Sequence, residues 1–319
     1  MNGKWMYLGL VILLVIGFPR LIFYYLDLTT RETENAESTQ QTYLVEEPMI
    51  QVLTEIGPKK MKINDYLVGV LLCEIPSDFH MEAQKAQAVV ARTYAIRTVL
   101  FKNKHDFNAI CTDPDCCQGY LDPESYLLSG GDTDRIYSAR SAVTETDGLV
   151  LTYENQLIDA TYFSCSGGQT EDALAVWGVD IPYLQSVSSP GEEIADHYWD
   201  SISFSSEEFQ RALGRKLPNS PNSWFGATTY TAGGGVARME IGGKLYFGTE
   251  LRTLLRLRST AFSVEVVNDT ITIITRGFGH RVGMSQYGAQ AMALVGRSYN
   301  EILAHYYPGT VIDKADFIS

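Results

Sequence analysis

The apolar positions fall into two regimes: one long continuous run at the start, then short segments that alternate between helical and strand periods. Trp5 to Phe18 is unbroken apolar sequence; Pro19 and Arg20 interrupt it, and Leu21 to Leu26 resumes it. Together, 5–26 supplies about the twenty residues that a bilayer core requires. Lys4 on the short side predicts an N-inside orientation. Arg20 is placed to snorkel toward headgroups, and Tyr24 and Tyr25 suit an interfacial belt. The rival readings are a cleaved signal peptide, whose basic start fits but whose small-x-small cleavage site is absent, and a buried core helix. Anchor and signal peptide alike put the rest of the chain outside the cytoplasm. Residues 27–47 are polar, acidic and rich in Thr, Ser and Gln, which reads as a flexible tether.

Beyond residue 47 the pattern predicts a strand over Met49–Thr54. A helix from Tyr66 to about Glu74 follows, capped by Asn64 or Asp65 and stopped by Pro76. An Ala-rich helix covers about 81–101. Residues 105–120 are a Cys- and Asp-rich loop. A helix near 131–145 leads to strands near 148–153 and 156–163. Segment 200–276 differs: a helix over Ser205–Leu213, alternating strands near 227–231 and 235–247, a short helix over Thr249–Arg256, and strands 262–267 and 270–275 around Asn268-Asp269. Helices over Ser285–Val295 and Ser298–Tyr306 close the chain, the second with a Ser298/Glu301 capping box. This predicts an α+β fold. A mixed helical and β core carries a smaller β-rich subdomain (200–276), preceded by one N-terminal transmembrane helix.

Composition narrows the class. At 45% hydrophobic and 20% charged, the chain is neither collagen-like nor disordered. A formal net charge of −13 argues against nucleic acid as a partner. That charge is unevenly placed: +2 over 1–26, −5 over 27–47 and −10 over 48–319. Three blocks suggest three tasks.

Several stretches are more specific than folding requires. Leu71-Leu72-Cys73-Glu74-Ile75-Pro76 puts a carboxyl at a helix C-terminus behind an apolar run. Burial and the negative helix end both raise a carboxyl pKa, which suits a general acid. The ordinary alternative is a solvated Glu at a fraying helix end. Arg92, on the Ala-rich helix, either pairs with a carboxylate or sugar in a cleft or is a solvated helix charge. Gly277 to Gly288 is a Gly-rich loop opening a helix, but its spacing is G-x-G-x-x-x-G and no βαβ unit follows, which excludes a dinucleotide site. Its backbone amides and His280 still suit a polar ligand. His105, Cys111, Cys116 and Cys117 lie within thirteen residues, a spacing that suits tetrahedral zinc. Free thiols or a Cys111–Cys116 disulfide are the alternatives. Cys73 and Cys165 read as unpaired.

Taken in order, these stretches resemble the stage II sporulation protein D family. The resemblance rests on Glu-x-Pro (74–76), Lys-Ala-Gln-Ala-x-x-Ala-Arg-Thr-Tyr-Ala (85–95), Phe-Ser-Cys-Ser-Gly-Gly-Gln-Thr-Glu (163–171), Val-Trp-Gly with Pro-Tyr-Leu-x-Ser-Val (176–187), and Gly-His-x-Val-Gly-Met-Ser-Gln-Tyr-Gly-Ala (279–289). It covers about 48–312. It implies a membrane-anchored lytic transglycosylase that cuts peptidoglycan between N-acetylmuramic acid and N-acetylglucosamine and leaves 1,6-anhydro-muramyl ends. The implied substrate is strands stripped of stem peptides by a partner amidase, and the implied setting is engulfment, with other engulfment membrane proteins as possible partners. The family's catalytic Glu falls on Glu74 and its helix Arg on Arg92. Positioning roles are expected for His280, Ser285, Gln286 and Tyr287. Some members carry a structural zinc in the region of the Cys cluster, with His where this chain has Cys116; thiolate in place of imidazole is a chemically sound departure. An ordinary hydrolase needs a second carboxylate, and none is obvious beside these motifs. A non-catalytic wall-binding protein on the same fold is the alternative from another class.

Overall fold

The computed structural model describes residues 48–102 and 104–315. The expected anchor and tether lie outside the described residues. Among those described, no helix is long and apolar enough to cross a membrane.

A hairpin of β1 (Met49–Thr54) and β2 (Gly57–Lys62) opens the fold, its first strand where the alternation places it. Helix α1 (Ile63–Glu74) starts earlier than an Asn64 or Asp65 cap would allow. Its N-cap, Lys62, makes no side-chain capping bond. The Asn64 side chain is engaged elsewhere: Nδ2 donates to Asp147 at 2.7 Å and Oδ1 accepts from Arg92 at 3.3 Å. Ile75 is extended, as a residue before proline tends to be, and α1 ends at Glu74. Helix α2 (Met81–Arg97) is shorter than expected, because the chain widens into a π-type turn over Thr98–Lys102, where β-branched Thr98 and Val99 favour helix weakly.

The Cys loop contributes β3 (Ile110–Cys111), which pairs in parallel with β1. Helix α3 (Pro123–Leu128), which the pattern missed, precedes α4 (Thr133–Glu145). Strands β4 (Leu149–Tyr153) and β5 (Gln156–Leu157) form a hairpin. The expected single strand over 156–163 is split: β6 (Tyr162–Phe163) belongs to another sheet. Helix α5 (Ala173–Trp177) was not foreseen either.

Next come β7 (Trp199–Ser205), α6 (Ser206–Ala212), β8 (Phe225–Tyr230), β9 (Val236–Ile241), β10 (Lys244–Phe247), α7 (Gly248–Leu254), β11 (Phe262–Val267) and β12 (Thr270–Arg276). They make two three-stranded sheets, β10-β9-β8 and β11-β12-β7. Asn268 and Asp269 both adopt positive φ, as a two-residue hairpin turn requires. Phe209, Trp224, Tyr246, Leu251, Ile271 and Ile273 lie in a hydrophobic cluster separate from the main one. The chain ends with β13 (Met284–Ser285), α8 (Gln286–Leu294), α9 (Tyr299–Tyr306) and β14 (Val311–Lys314).

Helix α2 organises the larger part. Ala86, Ala88, Val89, Val90, Ala91 and Ala95 are fully buried. Small side chains let α1, α4, α8, α9 and β4 all pack on it. A helix buried on every face has no polar stripe to reveal it.

Candidate functional site

Glu74 closes α1 at the edge of a cleft of about 540 Å³. The cleft is lined from the Cys loop (Asp115, Cys116, Cys117), from β6 and its flanks (Tyr162, Ser164), from the Gly-rich loop and α8 (Phe278, His280, Gln286), and by Arg252 of α7. β6 pairs in parallel with β13, aligning Tyr162 with Met284 and Phe163 with Ser285. That pairing brings Tyr162 and Gln286 to the same carboxyl.

The Gly119 amide donates to Glu74 Oε1 at 2.6 Å. Burial is the dominant influence and raises the Glu74 pKa; the Gly119 amide and the Tyr162 and Gln286 side chains oppose it. Gln118 sets the direction of the Tyr162 proton. Its Nε2 donates to the Tyr162 hydroxyl at 3.1 Å, and its Oε1 accepts from Tyr66 at 3.3 Å. Tyr162 is itself pushed far up by burial, so it stays a donor. At Gly119 a Cβ would stand 2.8 Å from Cys73 Sγ and 3.0 Å from Glu74 Oε1, so any side chain there must displace the thiol and the carboxyl.

The Cys cluster is assembled. The candidate ligand atoms of His105, Cys111, Cys116 and Cys117 lie within 4.8 Å of one another. Cys116 and Cys117 Sγ are 3.5 and 3.4 Å from His105 Nε2, and 3.9 Å from each other. Tetrahedral zinc, with bonds of about 2.3 Å to sulfur and 2.05 Å to nitrogen, requires edges of about 3.8 Å (S–S) and 3.6 Å (S–N). The set fits. None of the five cysteines is in a disulfide. Burial and the neighbouring thiols push Cys117 up to about 12, a crowding that a bound cation relieves. The group can therefore hold a metal.

The other expected site residues divide. His280 lines the cleft, packed between Phe163 and Trp177. Its Nδ1 accepts from the Val282 amide at 3.1 Å, and burial, then Arg252, hold it near a pKa of about 4. It is a neutral wall, not an acid. Gln286 faces Glu74. Ser285 does not line the cleft: it is the fully buried N-cap of α8, accepting from Gly288 at 3.1 Å. Tyr287 also stands behind the wall, edge-on to Phe79 and His197.

Arg92 is the largest correction. It is buried, and its guanidinium donates to the carbonyls of Val143, Thr146 and Leu149 at 3.0, 2.7 and 3.1 Å. Its contact Asn64 sits ten residues before Glu74 on α1, about 15 Å along the helix axis. Arg92 therefore neutralises the negative C-terminal end of α4 and does not line the cleft. Arg92→Met is expected to destabilise the fold by about 2–4 kcal/mol, because it orphans buried carbonyls. Thermal unfolding of the variant checks it.

The later part of the 163–171 motif is likewise architectural. Glu192 is buried and accepts from Ser166 Oγ and the Gly167 amide, both at 2.8 Å. Glu171 pairs with Arg281 at 3.1 Å, both fully buried, and Arg281 also donates to Gly233 at 2.7 Å. Glu192 and Glu171 Oε1 are therefore engaged in the fold, while Glu171 Oε2 is buried without a hydrogen-bond partner. Sequence reasoning missed Tyr162, Gln118, Gly119, Arg252 and Asp115, which no local pattern marks.

Fold and site define an α+β protein with a half-buried carboxyl of raised pKa in an open cleft, beside a His/Cys set able to hold a metal. A family model described as Stage II sporulation protein matches residues 55–153. The chain is 38% identical to "Stage II sporulation protein D" of Bacillus amyloliquefaciens, over 90% of this chain and 84% of that one. It is 39% identical to the protein of the same name from Bacillus subtilis (strain 168), over 81% and 76%. A Bacillus subtilis "Amidase enhancer" is 30% identical, over 77% of this chain but 40% of its own length. The chain belongs to the stage II sporulation protein D family.

Proposed function

We propose that this chain is a lytic transglycosylase. It cleaves the N-acetylmuramic acid to N-acetylglucosamine bond of denuded peptidoglycan strands during engulfment and leaves 1,6-anhydro-muramyl ends. The observation that carries this reading is the environment of Glu74, whose raised pKa comes from burial at the wall of a cleft. Protonated Glu74 gives its proton to the glycosidic oxygen as an oxocarbenium-like state develops. The carboxylate left behind takes the proton of the muramyl 6-hydroxyl, which closes on C1. Gly119, Tyr162 and Gln286 stabilise that carboxylate, so the same group serves as acid and then as base. In this reading His105, Cys111, Cys116 and Cys117 would hold zinc, which would pin the Cys loop and supply no water for the chemistry.

Residues 1–26 serve as a single-pass anchor with a cytoplasmic N-terminus, 27–47 as tether, and 48–319 as the catalytic domain facing the wall, with 200–276 as its β-rich subdomain. The relative named as an amidase enhancer suits a partner amidase that strips stem peptides first. Incubating the full chain with denuded strands and weighing the products tests the reading. Anhydro ends are expected; reducing ends overturn the lytic route, and intact strands leave only wall binding.

A hydrolytic route has one observation in its favour. Asp115 is a second carboxylate on the cleft lining. Hydrolysis would need it to activate water. Asp115→Asn is expected to leave the product ends anhydro and turnover within about threefold. A loss on the order of a hundredfold or more would favour the hydrolase.

A further inference from the structure

Ser164 lines the same cleft as Glu74, and its Oγ lies 2.7 Å from His197 Nε2. The Ser164 carbonyl is turned away, accepting from the Tyr287 amide at 3.0 Å. His197 is held edge-on by two rings: Phe278 at 5.6 Å and 85°, and Tyr287 at 5.0 Å and 82°. An imidazole clamped in this way has little freedom to turn. Ser164 belongs to the Phe-Ser-Cys-Ser stretch, whose other members are occupied by the fold. Ser166 serves Glu192, and Cys165 is buried against the same carboxylate. Of the polar members of the stretch only Ser164 lines the cleft, beside the Phe163 ring, and nothing in the acid–base chemistry of Glu74 uses it.

We propose that Ser164 is a substrate contact, set by His197 to accept a hydrogen bond from a sugar hydroxyl in the cleft. His197 takes the seryl proton on Nε2, and the Ser164 lone pairs then face the cleft. A neutral serine would otherwise be free to donate or accept; the imidazole fixes it as an acceptor. A sugar hydroxyl is a donor that such a site selects. This rests on the glycan-strand reading of the cleft and assigns one more residue of its recognition surface. His197 is a positioning residue: it acts through Ser164. Burial, then the Arg258 charge, keep His197 below the usual histidine range, while Asp196 pulls the other way. The groups facing it are Ser164, Arg258, Asp196, and the Phe278 and Tyr287 rings.

The test is binding of denuded glycan strands to the full chain carrying Glu74→Gln, which removes cleavage and the Glu74 titration together. Adding Ser164→Ala is expected to weaken binding about tenfold, with thermal unfolding unchanged. Adding His197→Phe keeps the ring packing but loses the acceptor and costs the same. Adding His197→Gln restores an acceptor and keeps affinity within about threefold. Binding with His197 present weakens as pH falls through its lowered pKa, because a protonated ring can no longer accept. With His197→Gln, or without Ser164, that response is flat. A packing role would show neither the Gln rescue nor the pH response. Unchanged affinity on Ser164→Ala, or no binding of strands at all, overturns the proposal. Reducing product ends from wild-type protein would sink the lytic reading and leave the Ser164 comparison standing.

Discussion

Replacing Glu74 with Gln is expected to lower the release of anhydro-muramyl ends by about 10³-fold and to leave the protein folded. Gln keeps the side-chain shape and can still accept from the Gly119 amide, but it has no proton to give. In wild-type protein the same chemistry sets the pH profile. Burial raises the Glu74 pKa above the ordinary carboxyl value of 4.5. Turnover therefore falls as pH rises through that raised value, while the active, protonated form persists below it. Stability follows the same direction. The folded state binds this proton more tightly than the unfolded chain does. The contribution is fully present below the unfolded pKa and is lost as pH rises through the folded one. Glu74→Gln mimics the protonated form, so the variant is expected to be inactive yet at least as heat-stable as wild type at neutral pH. A variant that retains turnover would remove Glu74 from the chemistry. One that is inactive because it melts early would leave the assignment open to a structural explanation, and Gly119→Ala provides a second approach. It leaves the acid in place but drives a methyl group against its oxygen, and is expected to cut turnover without removing a titrating group.

Local patterns revealed the elements whose neighbours in sequence decide them. The Asn268-Asp269 hairpin, the Ser298/Glu301 box and the β1 strand all lie where spacing and turn chemistry put them. Elements set by distant partners were less visible. Lys62, not Asn64, precedes α1, because Asn64 is drawn to Asp147 and Arg92. The 156–163 stretch looks like one strand, yet its ends pair with different sheets. The site divides in the same way. Glu74 was legible because a carboxyl behind an apolar run at a helix end is a local anomaly. Tyr162 and Gly119 were not, since only the folded chain brings them to Glu74. Arg92 was misread for a related reason: an arginine among alanines has the same sequence signature whether it faces a cleft or caps a distant helix. The cysteine cluster was legible as a ligand set, but not as a wall of the cleft that holds Glu74.

That last juxtaposition predicts an effect on activity of a metal site that does no chemistry. Cys117 is two residues from Gly119, whose amide holds Glu74, and Gln118 between them orients Tyr162. The amide that holds the carboxyl and the side chain that orients Tyr162 therefore both hang on the segment that leaves the last ligand. Leu121 anchors the far side of this segment on α1, its amide donating to Gly69 at 3.0 Å, and Tyr120 stacks on Tyr66 at 5.6 Å. With one end fixed on α1, the ligand set fixes the other. Cys117→Ser is expected to reduce bound zinc from about one per chain to a small fraction, lower the unfolding temperature, and cut turnover by about 10–100-fold. The loss should come from kcat more than from KM, because the altered groups touch the proposed acid and not the rest of the cleft. Chelation of wild-type protein should reproduce the effect, and added zinc should reverse it there but not in Cys117→Ser. Metal-free protein with full turnover would show that the Cys loop holds Glu74 without a cation.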